Sequence, residues 1–300
     1  MKKRLALCVC VVTAFAMILG GCGKKTGDSG EAANESSSVE AAATASTEEV
    51  ASVEATSAPE SLDPITLEDA ITAAIFEKGA DYRQGEVAGE GHIIMGQEEV
   101  SNQVICYLLT MYGSYEFENG NFVKCAGSGA IPAVLTFTVN DGVYELLYYN
   151  EPVDGSGFVD SVKDLFPESL WSRCITIEED DMIELTRQER ADAEEYLGTI
   201  GREDAEIGDY ADFEYLIDSD YKISDEVSNK IAEYQVDDPI AQNCDFWYGD
   251  REVLEENVRY IYRKEYDKKQ NQVIFSKILY ETEEVIEISA YSSKTGEPVG

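Results

Sequence analysis

The sequence predicts an α+β protein, and three observations predict it. A capped amphipathic segment opens the ordered part, where Thr66-x-x-Asp69 precedes Leu67, Ala70, Ile71, Ala74 and Ile75 on one helical face. The apolar period then changes from 3.6 to 2, with two tight-turn dipeptides, Asn119-Gly120 and Asp141-Gly142, set between alternating runs. Helical spacing returns at Phe158, Val162 and Leu165 and again after Thr186. Helices segregated around an antiparallel meander are the α+β pattern.

Taken in order, Gly79 stops the first helix. Residues 103–112 carry apolar side chains on both faces, Val104, Cys106 and Leu108 against Ile105, Tyr107 and Leu109, which predicts a central strand covered from both sides. Glu118-Asn119-Gly120-Asn121 predicts a type I′ hairpin that sets Phe117 opposite Phe122 and Ser114 opposite Cys125. Residues 134–139 and 143–149 predict a second hairpin, pairing Val139 with Tyr144, Phe137 with Leu146 and Leu135 with Tyr148. Phe158, Val162 and Leu165 mark a short helix stopped by Pro167, with Trp171 in the following turn. Thr186-x-x-Glu189 opens a helix that ends near Gly198.

Residues 199–222 read as a very acidic loop; from 178 to 226 there are nineteen acidic residues and four basic ones. Ser224 caps a helix with Val227, Ile231 and Tyr234 on one face. Leu254, Val258, Ile261 and Tyr262 fall at helical spacing, with Glu255 and Arg259 as an i,i+4 pair, which predicts another helix. Residues 272–280 and 285–291 close the chain as a hairpin. The fold is therefore an N-terminal helix and an antiparallel meander with flanking helices over 62–198, then a small helix-helix-hairpin unit over 199–300. Whether that unit packs on the first domain is left open.

The N-terminus carries an address. Lys2, Lys3 and Arg4 precede an apolar run to Leu19, and Leu19-Gly20-Gly21-Cys22 follows, after which the chain turns polar. This is a secretory signal peptide over 1–21 with its small-residue cleavage site directly before a cysteine. It resembles the lipobox of bacterial lipoproteins, which implies that Cys22 is lipidated and becomes the mature N-terminus. A membrane span needs ~20 apolar residues, more than this run supplies. Residues 22–61 are then a lipidated cysteine and an acidic tether rich in Gly, Ser, Ala, Thr and Glu. That composition cannot offset chain entropy and predicts disorder, with an end-to-end distance of ~35 Å.

Removal of residues 1–21 takes away three positive charges and moves the formal net charge from −37 to −40. Such a charge excludes nucleic acid as a partner and holds the folded part off anionic lipid. Four cysteines remain in the body: Cys106, Cys125, Cys174 and Cys244. They permit three disulfide connectivities, while free buried thiols are the other reading. An extended strand would put Cys106 and Cys125 ~27 Å apart, against a bridge between them.

Candidate chemistry is sparse, and neither a cofactor nor a metal is expected. His92, in Glu90-Gly91-His92-Ile93-Ile94, is the one histidine in the sequence, which leaves no paired-histidine zinc helix. It reads as a strand residue satisfied by a neighbour, or as the base of a hydrolase with nearby carboxylates. Ser219-x-x-Lys222 and Lys294-Thr295-Gly296 match two motifs of penicillin-recognising enzymes, but Ser219 lies in an acidic loop and no Ser-Asp-Asn stands between them. Asp218-x-Asp220-x-Lys222 fails the calcium-loop pattern at Lys222 and at Ile223; Asp209, Asp212, Asp218 and Asp220 could otherwise form an irregular site. Eighteen tyrosines and two tryptophans could line a groove for sugar, peptide or wall polymer, though Tyr112, Tyr115, Tyr148 and Tyr149 lie in strands, where packing accounts for them.

The runs EGHIIMG, YLLTMYGSYEFENGNFVKCAGSGAIPAVLTF and GVYELLYYNEPVDGSGFVDSVKDLFP, within 90–170, resemble an extracytoplasmic module of clostridial-type bacteria. That module stands at the end of BlaR/MecR-type antibiotic-sensing membrane metallopeptidases and in stand-alone lipoproteins. The resemblance implies company rather than mechanism. It carries over no catalytic residue, since the peptidase and penicillin-binding parts are missing, and residues 199–300 lie outside it. The expectation is a lipid-anchored protein on the extracytoplasmic face of a Gram-positive-like cell membrane, held through Cys22. Its head would be a non-catalytic binding, sensing or accessory module with a membrane-protein or envelope partner. An envelope hydrolase and a structural subunit of a membrane complex are the alternatives.

Overall fold

A computed structural model describes residues 66–299; the expected signal peptide, Cys22 and the tether lie outside the described residues. Thr66 caps α1 (Leu67–Gly79) reciprocally, its hydroxyl accepting the Asp69 N–H at 3.1 Å while the Asp69 carboxylate accepts the Thr66 N–H at 2.9 Å. β1 (Val87–Val100) and β2 (Gln103–Glu118) then form a long antiparallel hairpin.

β3 (Asn121–Gly127) returns through Asn119 and Gly120, both at positive φ as a type I′ turn requires, and Phe117 faces Phe122. A bulge between Ser114 and Tyr115 sets Ser114 opposite Ala126 rather than Cys125. β4 (Ile131–Asn140) and β5 (Val143–Asn150) turn at Asp141-Gly142 with Val139 opposite Tyr144 and Phe137 opposite Leu146. There too a bulge, at Thr136/Phe137, moves Leu135 onto Tyr149 instead of Tyr148. Each bulge adds one residue to one strand, which no alternation pattern reveals.

β2 is buried from both sides. Val104, Cys106, Leu108 and Tyr112 pack under α1. The opposite parity, Tyr107, Leu109, Met111, Tyr115 and Phe117, is covered by other helices. These are α2 (Phe158–Leu165), α3 (Trp171–Ile175) and α4 (Glu179–Ile200). Trp171 thus starts a short helix, where a turn was expected.

α4 is longer than the capping pattern implies. Its N-cap is Glu178, and Glu179, Asp180 and Asp181 fill its first turn, where carboxylates complement the helix dipole. Thr186 therefore lies inside the helix. The stop is Gly201, left-handed at φ 69°, whose N–H reaches the carbonyls of Leu197 and Gly198. Gly89 and Gly91 on β1 let α4 approach closely: a Cβ on either would run into the Glu189 or Leu185 carbonyl.

After β6 (Ile207–Asp209), parallel to β3, Ser224 caps α5 (Asp225–Gln235) as expected, accepting the Val227 N–H at 3.4 Å. The second helix expected around Leu254–Tyr262 is instead a hairpin of β7 (Gly249–Glu255) and β8 (Val258–Asp267). Glu256 and Asn257 both take positive φ in a two-residue turn, and Tyr260, Tyr262 and Lys264 share one face at period 2. The helical spacing failed because Leu254 and Val258 are largely exposed turn-flanking residues, not core. β9 (Gln272–Leu279) and β10 (Glu284–Ser292) complete the sheet, and α5 covers it through Val227, Ile231, Tyr262, Phe275 and Tyr291.

The two halves share one sheet, in the order β10-β9-β8-β7-β2-β3-β6, with β1, β4 and β5 added along β2. Glu118 paired with Arg251 is where β7 joins β2. Except for β3 with β6, the strand pairs are antiparallel.

Candidate functional site

His92 sits on β1 with a carboxylate at each ring nitrogen. Nε2 lies 2.6 Å from the Glu68 carboxylate of α1, and Nδ1 lies 3.1 Å from Glu90, two residues back on the same strand face. Glu90 is itself buried and accepts the Thr72 hydroxyl at 2.6 Å. Burial alone would lower the imidazole pKa, but hydrogen bonds and charge from Glu90 and Glu68 outweigh it and hold the ring above its ordinary value. Two carboxylates do converge on this histidine. They use both nitrogens and favour the imidazolium, which has no lone pair with which to take a proton.

The richer cluster lies at the β2–β7 joint, where the covered face of β2 changes from apolar to acidic at Ser114, Glu116 and Glu118. Arg251 grips Glu116 through Nε at 3.0 Å and Nη2 at 2.9 Å, and Arg83 pairs with the same carboxylate. Arg83 also reaches Asp245 at 3.4 Å. Glu118, buried beside them, accepts the Tyr215 hydroxyl at 2.6 Å. Burial lifts the Glu118 carboxyl to about 7; the Tyr215 bond opposes that, and the charges of Glu116 and Asp245 add to it.

Oxygens of Glu116, Glu118 and Asp245 lie within 4.8 Å of one another, a spacing that a metal ion could bridge. The donor set does not fit one: Arg83 and Arg251 already occupy Glu116 and Asp245, where hard cations want six or more oxygens. The seam continues outward, with Arg259 paired to Glu86 and Glu252, and Arg202 paired to Glu252 over the Phe117 ring. Chemically this is a joint of buried ion pairs between the halves.

The remaining motifs are spent on structure. Ser219 and Lys222 lie exposed in a turn closed by the Lys222 N–H on the Ser219 carbonyl. Asp218 accepts the Tyr248 hydroxyl and pairs with buried Lys264 at 3.2 Å; Asp220 accepts the Ile217 N–H. Asp209 and Asp212 cap a single turn, and Asp209 also meets Arg190. Cys106, Cys125, Cys174 and Cys244 are all free. Burial pushes the Cys106 and Cys174 thiols up to about 11 and those of Cys125 and Cys244 to about 12, far from the thiolate a nucleophile needs.

The sequence sets Glu90 beside His92, and the fold adds Glu68. The joint has no sequence motif, because Arg83, Glu116, Asp245 and Arg251 are scattered along the chain. The alternation of Glu116 and Glu118 on a strand with no exposed face was the one available signal.

Fold and site together define the class: an α+β protein on a single ten-stranded sheet with an ion-paired seam across it. No protein-family profile, curated protein or solved structure matches the chain.

Proposed function

We propose that this protein is a lipid-anchored, extracytoplasmic lipoprotein whose α+β head binds a membrane-protein or envelope partner without catalysis of its own. Leu19-Gly20-Gly21-Cys22 behind a basic and apolar leader carries this reading, because a lipidated cysteine dictates where the head works. The likeness of residues 90–170 to the module of antibiotic-sensing membrane metallopeptidases supports an envelope partner. The chemistry of the head is consistent with this: His92 is held between two carboxylates, the cysteines are free with their thiols pushed up by burial, and Glu116 of the joint is held by Arg251 and Arg83.

Cys22→Ala should release the protein from membranes after washing without detergent. Tight retention of the variant would overturn the lipid anchor. Cross-linking of the intact protein in membranes should capture an envelope component in stoichiometric amount; activity toward wall substrates that is lost in His92→Ala would instead establish the hydrolase.

A further inference from the structure

A cleft of about 370 Å³, within the range of small-molecule sites, opens between the residues after α1, the start of β4, the loop after β5, and the helices α2 and α3. Its lining is more polar than apolar: Ile131, Phe158 and Ile175 supply apolar surface, Tyr82 stands along one side, and two carboxylates, Glu151 and Asp154, lie on the β5–α2 loop. Tyr82 is stacked on Tyr112 at 5.7 Å, which fixes its ring.

The two acids differ from those of the joint. Glu151 is half-buried, yet among the described residues it has no hydrogen-bond donor and no ion pair. Its closest charge compensation, Lys78, is bonded to Asp81 at 3.3 Å. Burial pushes the Glu151 carboxyl up, and the charge of Asp154 pushes the same way. Asp154 stands at the N-cap of a single helical turn, but its side chain makes no capping bond. Where Glu86, Glu116, Glu189 and Glu252 each have an arginine or lysine, these two face a cavity.

We propose that this cleft binds an organic ammonium, its charge between Glu151 and Asp154 and its apolar body against Tyr82, Ile131, Phe158 and Ile175. A carboxylate pair with an aromatic wall suits a cation that carries hydrocarbon. A hard metal ion would find too few oxygens, and an anion would be repelled. The same chemistry is supplied by a free amine or by a lysine side chain of a partner. The proposal deepens the binding reading and rests on it.

The test is calorimetric titration of the detergent-solubilised full chain with four probes. They are 2-phenylethylammonium, its neutral isostere 2-phenylethanol, and a capped Phe-Lys peptide with its norleucine counterpart. Each cation should bind about tenfold or more tightly than its neutral partner, the equivalent of one charge-assisted contact. Glu151→Gln should remove about that factor, and exposed Asp154→Asn a smaller one, with the melting temperature unchanged. Binding of the free amine, the lysine peptide or both supports the site and identifies the source of the cation. Equal binding of neutral and charged probes, no binding of either cation, or full affinity in both variants would overturn it. None of these results bears on Cys22→Ala release, so failure of the cleft is distinguishable from failure of the anchor.

Discussion

Arg251 of β7 holds Glu116 of β2 by two parallel guanidinium–carboxylate bonds, diagonally across the pair of strands that joins the two halves of the sheet. Residues 135 positions apart thus meet where the backbone pairing between the halves is shortest. Both side chains are withdrawn from water, so removing one partner leaves an uncompensated charge.

Arg251→Ala should therefore destabilise the fold by about 3 kcal/mol, at the low end for a broken buried pair because Arg83 still faces Glu116. The combined replacement Arg251→Met with Glu116→Leu should recover much of that loss. Urea unfolding followed by tryptophan fluorescence measures both. Equal loss in the single and the double variant would show that the pair itself is not what holds the joint.

Glu118 has its carboxyl raised in the folded state, to about 7 against an ordinary 4.5. The folded protein therefore keeps a proton that the unfolded chain releases. The contribution is full below about 4.5 and is lost as pH rises through about 7, on the order of 3 kcal/mol. Glu118→Gln keeps an acceptor for Tyr215 and cannot ionise. It should match the parent near pH 4.5 and exceed it in stability at pH 8. A stability difference that is independent of pH would refute the assignment.

His92 is the single histidine, so its ring can be followed alone by NMR. Its pKa should lie above 6.5, and Glu68→Gln or Glu90→Gln should each lower it. Since the folded value is raised, the stabilisation is present below 6.5 and fades as pH rises through the folded value. A ring that titrates at or below 6.5 in the parent would contradict the two-carboxylate geometry.

Gly91→Ala should cost about 1–3 kcal/mol, because the new methyl group would collide with the Leu185 carbonyl of α4, and helix backbone cannot yield as a side chain can. Gly120→Ala probes a different constraint: the space is open, and only the positive φ opposes it. The thermal shift of Gly91→Ala should be the larger. The reverse order would mean that α4 can slide on β1.

Local chemistry was legible wherever one short segment decides its own conformation. The capping box at Thr66, the Asn119-Gly120 and Asp141-Gly142 turns, the Ser224 cap and the two-sided burial of β2 all follow from neighbouring residues. Leu254 to Tyr262 fits two periods, and the Glu256-Asn257 turn with the pairing of β8 to β7 and β9 selects the strands. α4 misled because an acidic run can be a solvated loop or the first turn of a helix, and β1 had to present Gly89 and Gly91 for the helix to dock.

By itself the sequence determined the α+β class, the hairpins that turn at Asn119-Gly120 and Asp141-Gly142, and the closing hairpin of β9 and β10. Only the tertiary structure decided that the halves share one sheet, that Arg83 and Arg251 converge on Glu116, and that Glu68 closes on His92. It also decided that Glu151 and Asp154 share one cleft with Tyr82 and Phe158. The reason is range: caps and tight turns are set by interactions within four residues, whereas buried charge pairs and clefts depend on which distant segments share a volume. No periodicity in the chain encodes that neighbourhood.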